Sequence, residues 1–205
     1  MSRILFLLFI NGFALARVNG NDTIHVSAVH PHKINLFSLA DVELLNGDFK
    51  HIMDLDHKYL LSINPDRLTS WFRREAGLTP KAPPYPYWES EDVWGKGPLA
   101  GHIMGFYLSS MSMMYQSTGD TAIINRLNYT LYELNECQQA QGDGYLLATI
   151  NGRHVFQDVV TKNFTTSNPL INDSWEPVYI MNKIMLGLYG VSEYSKRYKH
   201  KIAGA

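Results

Sequence analysis

The chain is poor in cysteine, in net charge and in long apolar runs. Cys137 is the single cysteine among 205 residues, so no internal disulfide can form and the fold must rest on its core. The formal net charge is -1, which argues against a nucleic-acid-binding surface. Beyond residue 20 no apolar run is long enough to cross a bilayer, so we expect no membrane contact once a leader is removed.

The overall composition is that of a globular protein. Apolar residues make up 45% of the chain and charged residues 18%, which excludes a disordered chain and allows one domain with a real core. Aromatic residues make up 12%, with 12 tyrosines and 4 tryptophans. Such a share suits a sugar-binding surface, where flat rings stack on sugars, and it equally suits core packing.

The N-terminus has the pattern of a secretory signal. Arg3 precedes a short apolar run at residues 4–10, and small residues at 14–16 or 18–20 offer cleavage sites. We therefore predict that residues 1–20 are a signal peptide and that the mature protein is secreted, in an extracellular location. Glycosylation sequons agree with export, and they start at Asn21, Asn128, Asn163 and Asn172.

Helical spacing covers much of the remaining chain. Apolar residues at steps of three and four over residues 49–63 predict a helix, and Pro65 ends it. Residues 99–116 are apolar on nearly every side, which predicts a helix that is buried all round. Asp120 is well placed to cap a further helix that stops near Gly142.

Extended structure is predicted near the N-terminus, at residues 24–29 and 42–45, where short strands fit the pattern. The proline-rich residues 82–98 read as a loop, and its tryptophans and carboxylates favour a functional role.

A β-hairpin is predicted after the helix that stops near Gly142. The turn signal at residues 151–152 separates two candidate strands, residues 145–150 and 155–160. Residues 161–174 read as a polar loop, and a last helix is expected to start near Pro177.

We interpret residues 21–195 as one domain and residues 196–205 as a basic tail. Consecutive helices joined by short links suggest helical pairs stacked around an axis. No fixed-period repeat is present, which argues against a solenoid.

Several ordered blocks together resemble a known family. Their order and spacing are similar to the N-terminal portion of the catalytic domain of glycoside hydrolase family 127, the β-L-arabinofuranosidase-like enzymes. The blocks are FRREAGL at residues 72–78, WE at 88–89, GH at 101–102 with GFY at 105–107, CQ at 137–138 with GYL at 144–146, and residues 175–188.

The resemblance implies a mainly α fold, the N-terminal part of an (α/α)6 toroid, here with the short β-hairpin and the N-terminal strand. It implies a carbohydrate partner and a retaining hydrolysis, in which a cysteine thiolate attacks, a glutamate donates a proton and zinc is held by that glutamate and cysteines. In the family these groups lie beyond the position that corresponds to residue 205. We therefore predict no catalytic and no metal-binding residue in this chain, with zinc expected only in a full-length member, and we expect the missing C-terminal part of the catalytic domain as a partner.

Two readings of the function remain. One is a hydrolase that removes terminal β-L-arabinofuranosyl or related residues, represented by a segment that is inactive alone. The other is a truncated or degenerate, non-enzymatic relative with at most weak carbohydrate binding. Phe106 and Asn182 stand where the family commonly has histidines, which favours the second reading.

The candidate substrate-binding residues follow from the resemblance, and each has a purely structural alternative such as core packing, turn formation or helix capping. They are His102, Trp88, Glu89, Asp143, Tyr145, Trp175, Glu176 and Asn182.

Other suggestive residues are assigned no functional role. Cys137 is expected to pack in the core, with its pKa raised by nearby glutamates. The N-terminal histidines lack carboxylate or cysteine partners, and the acidic residues around the Trp88 loop do not match the family's catalytic pair. These residues are His25, His30, His32, Glu91 and Asp92.

Overall fold

A computed structural model describes residues 37–90, 97–167 and 170–203, with side chains described up to residue 194. The signal peptide, the strand predicted at residues 24–29, the three N-terminal histidines and the pair Glu91 and Asp92 lie outside these residues. The described part is mainly helical, in agreement with the predicted class. No helix within it is long and apolar enough to cross a bilayer.

The described elements are seven α-helices, two short 3-10 helices and one small sheet. The α-helices are α1 (Asp48–Ser62), α2 (Pro65–Leu68), α3 (Ser70–Glu75), α4 (His102–Thr118), α5 (Thr121–Gln141), α6 (Gly152–Thr161) and α7 (Pro177–Ala203). The 3-10 helices are Leu39–Asp41 and Tyr87–Glu89, and the strands are β1 (Thr166–Ser167), β2 (Leu170–Ile171) and β3 (Ser174–Trp175).

The helix boundaries follow the signals in the sequence. Ile63 leaves the helical conformation just before Asn64-Pro65, as predicted. The Asp120 side chain accepts from the amide of Ala122 and caps α5, and Gly142 ends α5 in the left-handed conformation. Helix α7 begins at Pro177 and continues to Ala203, through the start of the predicted basic tail.

The predicted β-hairpin is wrong. Residues 152–161 form helix α6, because Gly152, Val155 and Val159 recur at helical steps and present one inward face. Asn151 adopts a left-handed conformation with φ 52° at the start of that helix, rather than the centre of a hairpin turn. Residues 145–150 are mostly buried and form no strand, since α6 gives them no partner to pair with.

Two further expectations about extended structure are corrected. Residues 42–45 form no strand; Val42 is 51% and Leu45 84% exposed, and none of the described strands pairs with them. Residues 161–174 are not only loop, because β1, β2 and β3 form a small antiparallel sheet in that order.

Helices α4 and α7 are the most closely packed pair. A methyl group at Gly105 would lie 2.0 Å from the carbonyl oxygen of Lys183, and one at Gly187 would lie 2.6 Å from the carbonyl oxygen of Gly105. Farther along both helices, Gly190 faces Ser109. The contacts advance in the same direction on both helices, so α4 and α7 run parallel, with backbones in contact.

The core is formed by residues of α4, α5 and α7 and by residues of the shorter helices that precede α4. Helix α4 is buried over most of its surface but is open along one stripe, where Phe106 is 49% and Met113 39% exposed, so the prediction of complete burial is wrong there. The main core is formed by Leu68, Trp71, Phe72, Met104, Tyr107, Leu108, Met111, Ile123, Leu127, Leu134, Cys137, Leu146, Ala148 and Ile184.

Candidate functional site

Four of the predicted site residues meet at the N-terminal end of α4. The ring of Trp88 lies 5.7 Å from the ring of His102 and 5.8 Å from the ring of Trp175, measured between centroids. Glu89 joins them through the ring of His102. We call these four residues, Trp88, Glu89, His102 and Trp175, the tryptophan–histidine cluster.

Glu89 caps helix α4 from outside the helix. Its Oε2 accepts from the amide of Gly101 at 2.7 Å, and its Oε1 accepts from the amide of Ile103 at 2.9 Å. The side chain is buried, and the indole N–H of Trp71 donates to the Glu89 carbonyl oxygen. A carboxylate at a helix N-terminus satisfies donors that have no partner in the helix and complements the helix dipole. Glu89 therefore fixes the start of α4 and does not project into solvent.

The same carboxylate orients His102. The Nδ1 atom of His102 lies 3.2 Å from the Glu89 Oε1 and 3.2 Å from the Leu99 carbonyl oxygen. Both neighbours are acceptors, so we assign the proton of the neutral ring to Nδ1. That tautomer leaves Nε2 as an acceptor for a hydroxyl donor.

The cluster is partly open to solvent. Trp88 is 44% exposed, the side chain of His102 is 15% exposed, and Trp175 is buried. Trp175 packs with Leu99 and Ile180 in a small core cluster of its own. Trp88 thus has a partly exposed aromatic ring that is in contact with His102 and with the buried Trp175.

The backbone is strained beside both tryptophans. Tyr87 has φ 64° and Glu176 has φ 49°, in the left-handed region that non-glycine residues rarely adopt. Asn172 and Asp173, in the turn before β3, also have positive φ. Strain of this kind is kept where the surrounding structure requires it, and it often marks a functional site.

Glu176 and Asn182 lie near the cluster in sequence but differ in their roles. The Glu176 carbonyl oxygen accepts from the amide of Ile180 and starts α7. Asn182 is exposed on α7, one residue before Lys183.

Asp143 and Tyr145 belong to a second group, built around Arg153. Arg153 donates to both carboxylate oxygens of Asp143, and its guanidinium lies 4.7 Å from the centre of the Tyr145 ring. The hydrogen bond from Arg153 lowers the pKa of Asp143 to about 2, while burial raises the pKa of Tyr145. Asp143 also accepts from the amide of Tyr145 within the turn after α5, and Arg153 links this turn to α6.

Residues that were not on the predicted list extend the cluster along α4 and α7. Phe106 follows His102 by one helical turn, and Lys183 follows Tyr179 by one turn on α7. The Lys183 ammonium lies 5.2 Å from the centre of the Phe106 ring and 4.9 Å from that of Tyr179. The step of four from His102 marks Phe106 in the sequence, but only the α4–α7 contact brings Lys183 to it.

The described residues do not fit the zinc site of the resembled enzymes. No group of three or more histidine, cysteine or acidic side chains that could hold a metal occurs in residues 37–90, 97–167 and 170–194. Burial raises the pKa of the Cys137 thiol to about 11, with Glu133 and Glu136 adding to the effect as predicted. A neutral, fully buried thiol is not a metal ligand or a nucleophile.

The family assignment comes from comparison with known proteins. Residues 41–200 match the family model described as beta-L-arabinofuranosidase, GH127 catalytic domain. The chain belongs to this family. A search of curated proteins gave no match. The matched residues of this family 127 chain include the whole tryptophan–histidine cluster, helix α4 and all but the last three residues of α7. A glycoside hydrolase domain implies a carbohydrate substrate.

Proposed function

We propose that this chain forms a sugar-binding wall of a glycoside hydrolase that acts on terminal β-L-arabinofuranosyl or related residues. The observation that carries the proposal is the contact of Trp88 with His102 and Trp175 at the start of α4. Sugar sites pair a flat apolar ring with a few fixed hydrogen-bonding groups. Trp88 supplies the ring, and Nε2 of His102 accepts from a sugar hydroxyl.

The helix arrangement supports placing this wall in an (α/α)6 toroid. When antiparallel helix pairs are arranged around an axis, the first helix of one pair lies beside the first helix of the next pair. These two neighbouring helices run parallel to each other. Helices α4 and α7 pack in parallel, and the glycine residues 119 and 142 bound α5 between short turns. The open stripe of α4 with Phe106 and the start of α7 would then face the centre of the ring.

The described residues supply binding groups and no catalytic set. Glu89 is occupied by two backbone amides and by His102, and Cys137 is buried as a neutral thiol. We therefore expect this chain to bind a sugar without hydrolysing it.

An assay with an aryl arabinofuranoside and added zinc tests this expectation. The 205-residue chain should release no aryl alcohol above the rate without protein. Hydrolytic activity that copurifies with the 205-residue chain would contradict the proposal that the chain lacks the catalytic groups.

The degenerate, non-enzymatic reading is favoured by one observation. Phe106 is half exposed and its ring contacts Lys183. A phenyl ring has no polar atom, so Phe106 cannot supply the hydrogen bond that a histidine would make. Under this reading, joining the C-terminal portion of an active family member to residue 200 would not restore hydrolysis. Restoration would favour the enzyme.

We also propose that the protein passes through the secretory route. Asn128 and Asn163 are exposed, as glycan attachment requires. Expression in a secreting eukaryotic cell should give a product whose mass falls after glycosidase treatment, and an unmodified intracellular product would contradict the proposal.

A further inference from the structure

We propose that Lys183, Phe106 and Tyr179 form a subsite beside the tryptophan–histidine cluster that binds the carboxylate of an acidic sugar. The proposal rests on the sugar-binding function proposed above and adds the class of substrate. Its motivating observation is that the Lys183 ammonium lies against the rings of Phe106 and Tyr179 and has no carboxylate partner among the described side chains. Phe106 lies one helical turn from His102.

The subsite is continuous with the cluster on both helices. On α4, Phe106 lies one turn beyond His102 on the same face. On the other side, Tyr179 packs against the small core group that contains Trp175. A sugar stacked on Trp88 would therefore have its neighbouring substituents near the two rings of the subsite.

Lys183 contacts two aromatic rings of the protein itself. Its ammonium lies 5.2 Å from the Phe106 ring centre and 4.9 Å from that of Tyr179, at distances typical of cation–π contacts. Its backbone lies at the close approach of α4 and α7, where Gly105 leaves no room for a side chain. The lysine stem therefore starts from one of the most tightly packed points of the molecule.

The charge of Lys183 is not neutralised within the described structure. Every ion pair among the described side chains involves other residues, and no acidic group of this part of the chain lies within 4.0 Å of its ammonium. By contrast, Lys50 is paired with Asp54, and Lys81 with Glu133. A lysine that contacts two rings and has no anion beside it is suited to bind one from a ligand.

A pair of sugars that differ only at one group tests the proposal. Galacturonate and galactose differ in having a carboxylate or a hydroxymethyl group at the same carbon. Saturation-transfer NMR titrations of both against the 205-residue chain, with methyl arabinofuranoside as a third ligand, measure the preference. We expect galacturonate to bind roughly fivefold more tightly than galactose at low salt, with the difference reduced in high salt.

Matched variants separate a local charge from net charge. Lys183→Gln should bring the two hexoses to equal affinity, whereas Lys58→Gln, which removes a charge from an exposed position on α1, should leave the preference intact. Binding of galactose and galacturonate with equal affinity to the unaltered chain would overturn the acidic subsite alone. Loss of the preference in Lys58→Gln to the same degree would also overturn it. If none of the three ligands binds, both the subsite and the sugar-binding wall are overturned.

Discussion

Glu89 and His102 are joined by one carboxylate oxygen. The Oε1 atom of Glu89 accepts from the amide of Ile103 at 2.9 Å and lies 3.2 Å from Nδ1 of His102. The group that starts helix α4 is thus the group that orients the histidine. Folding and site geometry are coupled at this point, which makes Glu89 a positioning residue with a large expected effect on stability.

Removing this cap should destabilise the protein. Glu89→Ala leaves the buried amide of Gly101 and the partly buried amide of Ile103 without an acceptor, so we expect a loss of about 3 kcal/mol in the free energy of unfolding. Urea denaturation followed by circular dichroism measures it. Glu136→Ala is the matched control, because Glu136 is exposed on α5 and its loss should change stability by less than about 0.5 kcal/mol. Equal effects of the two substitutions would show that the cap has no special role.

The close contact of α4 and α7 should not tolerate a side chain. Gly105→Ala places a methyl group 2.0 Å from the Lys183 carbonyl oxygen, and the helices must separate to admit it. We expect a loss of at least about 2 kcal/mol in stability.

Gly190→Ala provides the control on the same interface. Its methyl group would meet its nearest neighbour, Oγ of Ser109, at 3.6 Å, which is ordinary contact. Because alanine also favours the helix, this variant should be neutral or more stable by up to about 1 kcal/mol. A Gly105→Ala protein as stable as the Gly190→Ala protein would contradict the described packing.

The buried thiol predicts a loss of stability at alkaline pH. The pKa of Cys137 is raised to about 11 in the folded chain, while an unfolded cysteine titrates near about 8.5. At a pH between these two pKa values only the unfolded chain loses the thiol proton, which favours unfolding. The free energy of unfolding should therefore be unaffected by Cys137 below about pH 8.5. As the pH rises from about 8.5 to about 11, it should fall by about 1.4 kcal/mol per pH unit.

Unfolding titrations at several pH values measure this slope. Cys137→Ala removes the titrating group and should flatten the slope, after allowance for a constant loss of packing. A thiol reagent should also label Cys137 in the unfolded chain much faster than in the folded chain. Equal labelling rates at pH 8 would contradict the burial of this residue.

Exposed apolar faces predict self-association of the chain studied alone. On α1, Phe49 is 79% and Tyr59 66% exposed, and on α7 Leu186 is 51% and Tyr189 55% exposed. Each pair marks one side of its helix, and contiguous apolar faces of this kind are usually covered by other protein surfaces. Light scattering should show a mass that rises with concentration, and a monodisperse monomer at high concentration would contradict this prediction.

The elements with strong end signals could be predicted from the sequence. Pro65, Asp120, Gly142 and Pro177 mark helix ends by their own backbone chemistry, and the structure has the ends there. Residues 151–152 do not distinguish the two structures, because an Asn-Gly pair suits a hairpin turn and also suits the left-handed entry to a helix. The helical steps that follow it at Val155 and Val159 were the better signal.

The candidate site could be predicted only in part. The resemblance selected Trp88, His102 and Trp175, which the structure brings together, and also Asp143 and Tyr145, which it groups with Arg153. No local pattern shows that Glu89 caps a helix that starts more than ten residues later, or that Lys183 reaches Phe106 across two helices. Both depend on long-range packing, which spacing along the chain does not encode.

Saturation-transfer NMR with methyl arabinofuranoside tests the central claim most directly. The unaltered chain should give a saturable signal, and Trp88→Ala should abolish it, because the stacking ring at the centre of the proposed wall is removed. Tyr132→Ala, which removes another exposed ring from α5, should keep the signal. A signal that survives Trp88→Ala unchanged, or that is absent from the unaltered chain, would contradict the assignment of the tryptophan–histidine cluster as the sugar-binding surface.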